Sequence, residues 1–449
     1  MTRFGEAKQI LPGSLLVLWQ ISFQLLYGLL DDAIAADLHL PLMEQAWLGL
    51  TFLVPYAAMQ WRAGQLIDRW SAQRVLGLAA LGCAVGAGLF ASATTHEMVF
   101  AGRLLTGASA AFAFPSVAQL LRFSCSGRQF GLAMAILESC IGFGSAAAAM
   151  FLLWAPDLSW RTVSMVEALL ALILATWMAR GCYQAWRKDV SMVHLETEGQ
   201  QKQKLLVQWS VVWAASGVYA WEAGMVFAFG GFWSLWLERQ QLLTMREVTQ
   251  SSLLLFLAVG AGTVFFGILS RGRHFRCWLM LIGTTTGGMV LLSLLRLPVA
   301  EQGQFHLPAL VIFGLSTAVG GLAFGEAGLA VAPGRVAQVV GLVNGIGCLT
   351  GGHLSSAADK PDASIWNRSE RHDVVWAAGV DWVAISHRLM ESALRFIDLT
   401  IWPYTYHSNT NTNWTQSGDN LEPARGNGTT IRMRITRSVG HREVDYWNS

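Results

Sequence analysis

Residues 64–74 read Gly64-Gln65-Leu66-Ile67-Asp68-Arg69-Trp70-Ser71-Ala72-Gln73-Arg74. The charges of this short segment lie between two long apolar runs. Gly64 allows two helices and a tight turn to approach closely. Asp68 stands at a helix end, where a carboxylate can receive helix N-terminal amides or an arginine. Arg69 and Arg74 supply the positive charge that keeps a connection on the cytoplasmic face of a membrane.

The flanking runs, 46–66 and 75–95, belong to a series. Similar runs occur at 11–30, 98–122, 130–154, 161–181, 209–233, 250–270, 277–297, 308–332 and 336–356. Crossing about 30 Å of hydrocarbon at about 1.5 Å per residue takes about 20 residues. Only internally bonded backbone survives there, so all eleven runs are expected to be membrane-spanning helices. Composition agrees. Charged residues make up 13% of the 449-residue chain, against about 25% in soluble domains. The net charge of +2 offers no polyelectrolyte surface for nucleic acid. The six cysteines are scattered without a C-x-x-C pair, and the ten histidines show no ligand spacing. No metal, no cofactor and no enzymatic nucleophile–base set is therefore expected.

Lys and Arg in the connections set the orientation. With the N-terminus inside, one face holds 16 of them, from Arg3 and Lys8 to Arg335; the other holds four, Arg161, Arg239, Arg246 and Arg296. The N-terminus is expected in the cytoplasm of a multi-pass plasma-membrane protein, or of a bacterial inner-membrane one. The run beginning near Leu11 is too long for a signal-peptide core and is taken as the first span. A polar connection at 182–208 separates an N-terminal six-helix bundle (1–181) from a C-terminal bundle (209–356) that should repeat it. Two hundred and three residues after Gly64 comes Gly267-Ile268-Leu269-Ser270-Arg271-Gly272-Arg273-His274-Phe275-Arg276, which keeps the glycine, the leucine and the basic residues but not the acid.

The 64–74 segment resembles the loop motif of the major facilitator superfamily, G-x-L-x-D-R-x-x-x-x-R, except that Ser71 replaces the usual turn glycine. Arg103 to Gly107 is similar to the family's R-x-x-x-G segment, and Gly341 to Asn344 to its G-x-x-N. The resemblance covers about residues 8–356. It implies an all-α membrane protein, a pseudo-twofold bundle of two six-helix halves, here with the second half cut to five spans. It also implies secondary transport of a small organic solute by alternating access, by a monomer in the lipid bilayer. Gly64, Asp68, Arg69 and Arg74 would latch the halves together on the cytoplasmic side.

Ionisable side chains at membrane depth are costly and tend to mark function. Glu222 lies near mid-depth in the seventh span, beside Trp221 and one turn from Tyr219. A Glu kept from water can hold a proton near neutral pH, which suits a proton-coupled carrier. Arg103 needs a carboxylate or water; Glu138 in the fifth span is the expected partner. Glu326 in the tenth span joins the coupling candidates, while Glu167 is expected to reach the surface. In the first span Gln20, Gln24 and Tyr27 share a helix face. With Tyr219, Trp221 and Asn344 they are the expected substrate contacts, since amides in hydrocarbon need partners. The fifth span lacks the proline of the family's antiporter motif, which favours symport.

After Gly352 the pattern stops. Of the 60 charged residues, 21 lie in the last 91 positions. Residues 357–449 are expected to be a polar, divergent, disordered tail, and the abrupt change points to a shifted reading frame or a fusion. An alternative to a carrier is a non-transporting remnant or sensor built on the same fold.

Overall fold

The computed structural model describes residues 3–192, 207–227, 237–238, 241–270, 272–297, 299–358, 414–417 and 420–423. It divides into two units, Met1–Ile401 and Trp402–Ser449. In the second, two four-residue strands, β1 (Trp414–Ser417) and β2 (Asn420–Pro423), pair antiparallel with Trp414 opposite Pro423. Part of the expected disordered tail thus has regular backbone, where Trp414 and Thr415 favour an extended chain. Residues 359–413, where a twelfth span would fall, lie outside the described residues.

The first unit is built of helices. They are α1 (Arg3–Leu38), α2 (Leu42–Trp70), α3 (Ala72–Ala91), α4 (His96–Ala110), α5 (Ala113–Ser124), α6 (Gly127–Trp154) and α7 (Trp160–Met192), then α8 (Trp209–Phe227), α9 (Met245–Leu269), α10 (Arg273–Arg296), α11 (Val299–Thr317), α12 (Gly320–Leu329) and α13 (Val336–Ala358). The described part of each expected span lies largely on helix. Eight helical stretches of the described chain are apolar and long enough to cross a membrane on their own. The remaining expected spans form α2, α8 and α13, which are richer in tryptophan, amides, serine and glycine.

Two spans differ from expectation in the same way. The fourth is broken between α4 and α5, the tenth between α11 and α12. Pro115 at the third position of α5 has no N–H to return to the preceding turn. In the tenth span, Gly320 and Gly321 follow the break and weaken the helix there. α7 also runs on to Met192, into the expected linker. The end of that linker is tied to the second half, since the Gln208 N–H donates to the Ala330 carbonyl at 3.0 Å and Val207 bridges Val331.

Polar and charged side chains are buried within an apolar interior, and large apolar side chains cover the outside, unlike a soluble surface. Gln20, Gln60, Arg103, Glu138 and Glu222 are buried, while Leu169, Ile173, Trp278, Ile282 and Met289 are exposed on α7 and α10. Hydrocarbon rewards this arrangement and water penalises it. Within the first half, α3 packs on α4 and α7, and α1 on α5, α6 and α7. The halves meet along two seams, α6 with α9 and α2 with α13, which a twofold rotation exchanges. Each seam is a close helix crossing. A Cβ on Gly142 of α6 would lie 2.4 Å from the Gly260 nitrogen of α9, so only glycine fits.

Ser71 joins α2 to α3 with φ 78° and ψ 145°, a conformation costly for any residue with a Cβ. This explains why the family motif carries glycine at that point. Ser71→Gly is expected to stabilise the protein by about 1 kcal/mol, read as a raised midpoint of thermal unfolding in detergent; an unchanged or lowered midpoint would show that the turn is not strained.

Candidate transport site

The two copies of the loop motif do the same mechanical task on opposite seams. A Cβ on Gly64 would sit 2.3 Å from the Gln338 Cα of α13. A Cβ on Gly267 would sit 2.6 Å from the Ala135 Cβ of α6. Each glycine therefore lets the end of one half press on the other. Around Gly64, Arg69 is exposed and Arg74 partly buried, while the side chain of Asp68 lies outside those described. A clamp that the sequence did not suggest strengthens this end. Gln119 of α5 donates from Nε2 to the Pro333 carbonyl (2.6 Å) and accepts the Ala337 N–H on Oε1 (3.0 Å). One amide thus ties the first half to the start of α13.

The acid missing from the second motif copy comes from elsewhere in the fold. Glu326 on α12 is bonded to Arg276, and its other oxygen lies 3.5 Å from Arg273 Nε. Glu326 is therefore engaged in an ion pair at the motif end and is not part of the central polar set. Breaking one partner of a buried pair strands the other charge. Glu326→Gln is expected to lower stability by about 3 kcal/mol, with partial recovery in the double variant that adds Arg276→Gln. Equal loss in the single and double variants would deny the pairing.

The centre of the α2–α13 seam is a polar column. Tyr56, Gln60 and Gly64 follow one another at helical spacing along α2, facing α13. The Tyr56 hydroxyl accepts from Asn344 Nδ2 of α13 (3.0 Å) and from Gln20 Nε2 of α1 (3.4 Å). It joins the halves through two side chains expected as substrate contacts. Gln60, one turn nearer the motif, is 1% exposed, and neither its amide nitrogen nor its oxygen has a hydrogen-bond partner. Tyr56 and Gln60 were not among the expected site residues; their i, i+4 row ending on Gly64 was the available signal.

Glu138 of α6 faces the Tyr219 hydroxyl of α8. Glu222, one turn further along α8, presses its carboxyl against Gly320 at the start of α12, where a Cβ would come within 2.1 Å of Oε2. Both glutamates are almost fully buried, Oε2 of each lacks a hydrogen-bond partner, and neither belongs to an ion pair among the described residues. The break between α11 and α12 puts a backbone N-terminus and a bare Gly320 beside Glu222, so it serves the site directly. Trp221 points away, its ring 3.6 Å from the position of a Cβ on Gly288 of α10, within a separate apolar cluster.

The expected Arg103–Glu138 pair does not form. Arg103 lies toward the end of the bundle away from the loop motif, fully buried, with Nη2 donating to Gln24 Oε1 at 2.8 Å. Its guanidinium stacks 3.7 Å above the Tyr27 ring, with Phe52 at 5.1 Å. Cation–π contact, one amide and the nearby charge of Asp31 on α1 take the place of Glu138. Gln24 and Tyr27 are thereby committed to Arg103, and only Gln20 of the α1 row reaches the centre. Glu167 is also buried, accepting from Ser22 Oγ at 3.0 Å, instead of reaching the surface.

These features define a class: a polytopic membrane protein whose two related helical halves close on each other over a buried polar centre. Residues 14–353 match the Major Facilitator Superfamily, and the chain belongs to that family of membrane transporters. No curated protein matches it in sequence. The fold is similar to that of the proton:xylose symporter XylE bound to 6-bromo-6-deoxy-D-glucose, with TM-score 0.66 at 12% identity, over 89% of this chain and 96% of that one. It is also similar to the human organic anion transporter MFSD10 (TETRAN), with TM-score 0.62 at 15% identity, over 87% of this chain and 99% of that one.

Proposed function

We propose that the protein carries a small organic solute across the membrane by alternating access, in proton-coupled symport. The halves, residues 1–181 and 209–356, would rock about the centre, joined by 182–208, with the N-terminus and the motif end in the cytoplasm, as the distribution of Lys and Arg favours. The observation that carries the reading is that Glu138 and Glu222, one from each half and both beside Tyr219, are buried and have no cationic partner among the described residues. Two negative charges held there would be expensive. A proton on Glu222 removes one of them, so the cost of moving the loaded seam depends on protonation. Gln20, Tyr56, Tyr219 and Asn344 border the same centre and are proposed as solute contacts. Arg103 supports coupling indirectly, by fixing the positions of Gln24 and Tyr27 on α1. The Gly64, Asp68, Arg69 and Arg74 cluster, with Gln119, is the cytoplasmic latch, and a monomer suffices.

Reconstitution into proteoliposomes tests this. Solute uptake should accelerate when the outside is made more acidic than the lumen and collapse when a protonophore is added. Uptake indifferent to both would remove proton coupling while leaving solute transport intact.

A further inference from the structure

The hydrogen-bonding inventory of the centre is lopsided. Glu138 Oε2, Glu222 Oε2 and Gln20 Oε1 are buried oxygens with no donor, while Gln60 adds one unpartnered amide oxygen and one unpartnered amide nitrogen. Buried acceptors left this way each cost free energy of about 1–3 kcal/mol, more when charged. The Tyr56 hydroxyl already accepts from two amides, so it adds no spare acceptor. Among the described residues no lysine or arginine forms an ion pair with either carboxylate. Arg103, the buried cation of the first half, is held by Gln24 and by the faces of Tyr27 and Phe52.

A site with surplus acceptors and surplus negative charge is complementary to a donor-rich cation. Polyols bring as many acceptors as donors, and carboxylates would add a third negative charge. Aromatic faces flank the seam as well: Tyr219 and Phe324 stand with ring centroids 4.4 Å apart, and Phe52 stacks on Tyr56 at 5.7 Å. Such rings suit the alkyl body and positive head of an amine.

We infer that the carried solute is a protonated organic amine, its ammonium seated on Glu138 between the α2–α13 and α6–α9 seams. This deepens the proposed function and rests on it. Glu138 is the seat because its buried Oε2 has no partner and nothing is packed against it in the way Gly320 is against the Glu222 carboxyl. Charge balance then closes. Two carboxylates, one proton on Glu222 and one ammonium on Glu138 give a centre of zero net charge. The loaded halves can rock without dragging uncompensated charge through hydrocarbon. Gln20 and Gln60 supply carbonyl oxygens for the remaining N–H groups.

The test uses the purified full chain in detergent and a panel of small primary and quaternary alkyl- and arylammonium ions, with polyols and carboxylates of matched size. Thermal unfolding is followed for the wild type and for Glu138→Gln, which keeps shape and removes charge. The expected result is stabilisation by members of the ammonium group alone, with apparent affinity weakened roughly thirtyfold or more in Glu138→Gln. Glu138→Gln without solute should unfold no earlier than the wild type, because it deletes an unpaired buried charge; that control separates loss of the seat from loss of fold. Stabilisation by a polyol or a carboxylate that survives Glu138→Gln overturns the inference. So does the absence of any effect from the ammonium group. Proton-driven uptake of such a polyol or carboxylate in proteoliposomes would leave the transport reading standing while this one falls.

Discussion

Glu222→Gln is expected to reduce proton-driven accumulation of solute by about a hundredfold. The amide copies the shape and hydrogen-bonding of a protonated carboxyl but cannot release a proton. The carboxyl it replaces lies against Gly320, 3% exposed and with Oε2 unpartnered. Loading should therefore remain possible, because the neutral side chain fits the same space. Accumulation against a gradient should fail, because an amide carries no proton along with the solute and the pH gradient then does no work on it. Solute-for-solute exchange needs no net proton release and should fall far less. The measurement is paired: accumulation under a pH gradient and exchange without one, in the same proteoliposomes. Equal reductions in both would assign Glu222 to solute binding; no reduction in either would remove it from the mechanism.

Gly64→Ala is expected to hold the motif end open. The added methyl carbon would lie 2.3 Å from the Gln338 Cα and 2.6 Å from its nitrogen. Those atoms are backbone in a helix and have no rotamer to escape into, so α2 and α13 must part. Overpacking of this kind costs about 1–3 kcal/mol, charged to the closed state alone. At about 1.4 kcal/mol per tenfold, the closed population falls by roughly one to two orders of magnitude relative to the open one. The separation would also stretch the Asn344–Tyr56 bond two turns deeper. Cys348 of α13, 7% exposed and one turn beyond Asn344, is a native reporter. Its modification by a small maleimide, read at peptide level by mass spectrometry, should speed up roughly tenfold or more, and uptake should slow. Unchanged labelling and unchanged uptake would mean that the Gly64 crossing does not hold the halves shut.

Both expectations rest on side chains visible in the sequence, but for different reasons. Gly64 could be singled out because the charged turn around it is local: a glycine, an acid and two arginines within eleven residues. Glu222 could be singled out because a carboxylate inside an apolar run is anomalous wherever the run packs. The helices themselves and the repeat of Gly64 at Gly267 follow from hydropathy and spacing. Lipid penalises unpaired backbone and charge irrespective of which helices are neighbours.

The partnerships were another matter. Gln119 grips Pro333 and Ala337, Asn344 reaches Tyr56, and Glu326 answers Arg276 and Arg273. Those pairs join residues fifty to nearly three hundred positions apart, and one-dimensional spacing carries no information about such contacts. For the same reason Arg103 was expected to meet Glu138 and instead found Gln24 and the face of Tyr27, with Asp31 supplying the negative charge nearby. Hydrophobic pattern alone determined that this chain is a membrane bundle of two related halves, because each helix answers to the bilayer independently. Which buried polar groups satisfy one another, and which two carboxyls are left facing across the seam, was decided only when the halves packed, because a hydrogen bond requires its partner within about 3 Å and the fold alone sets that distance.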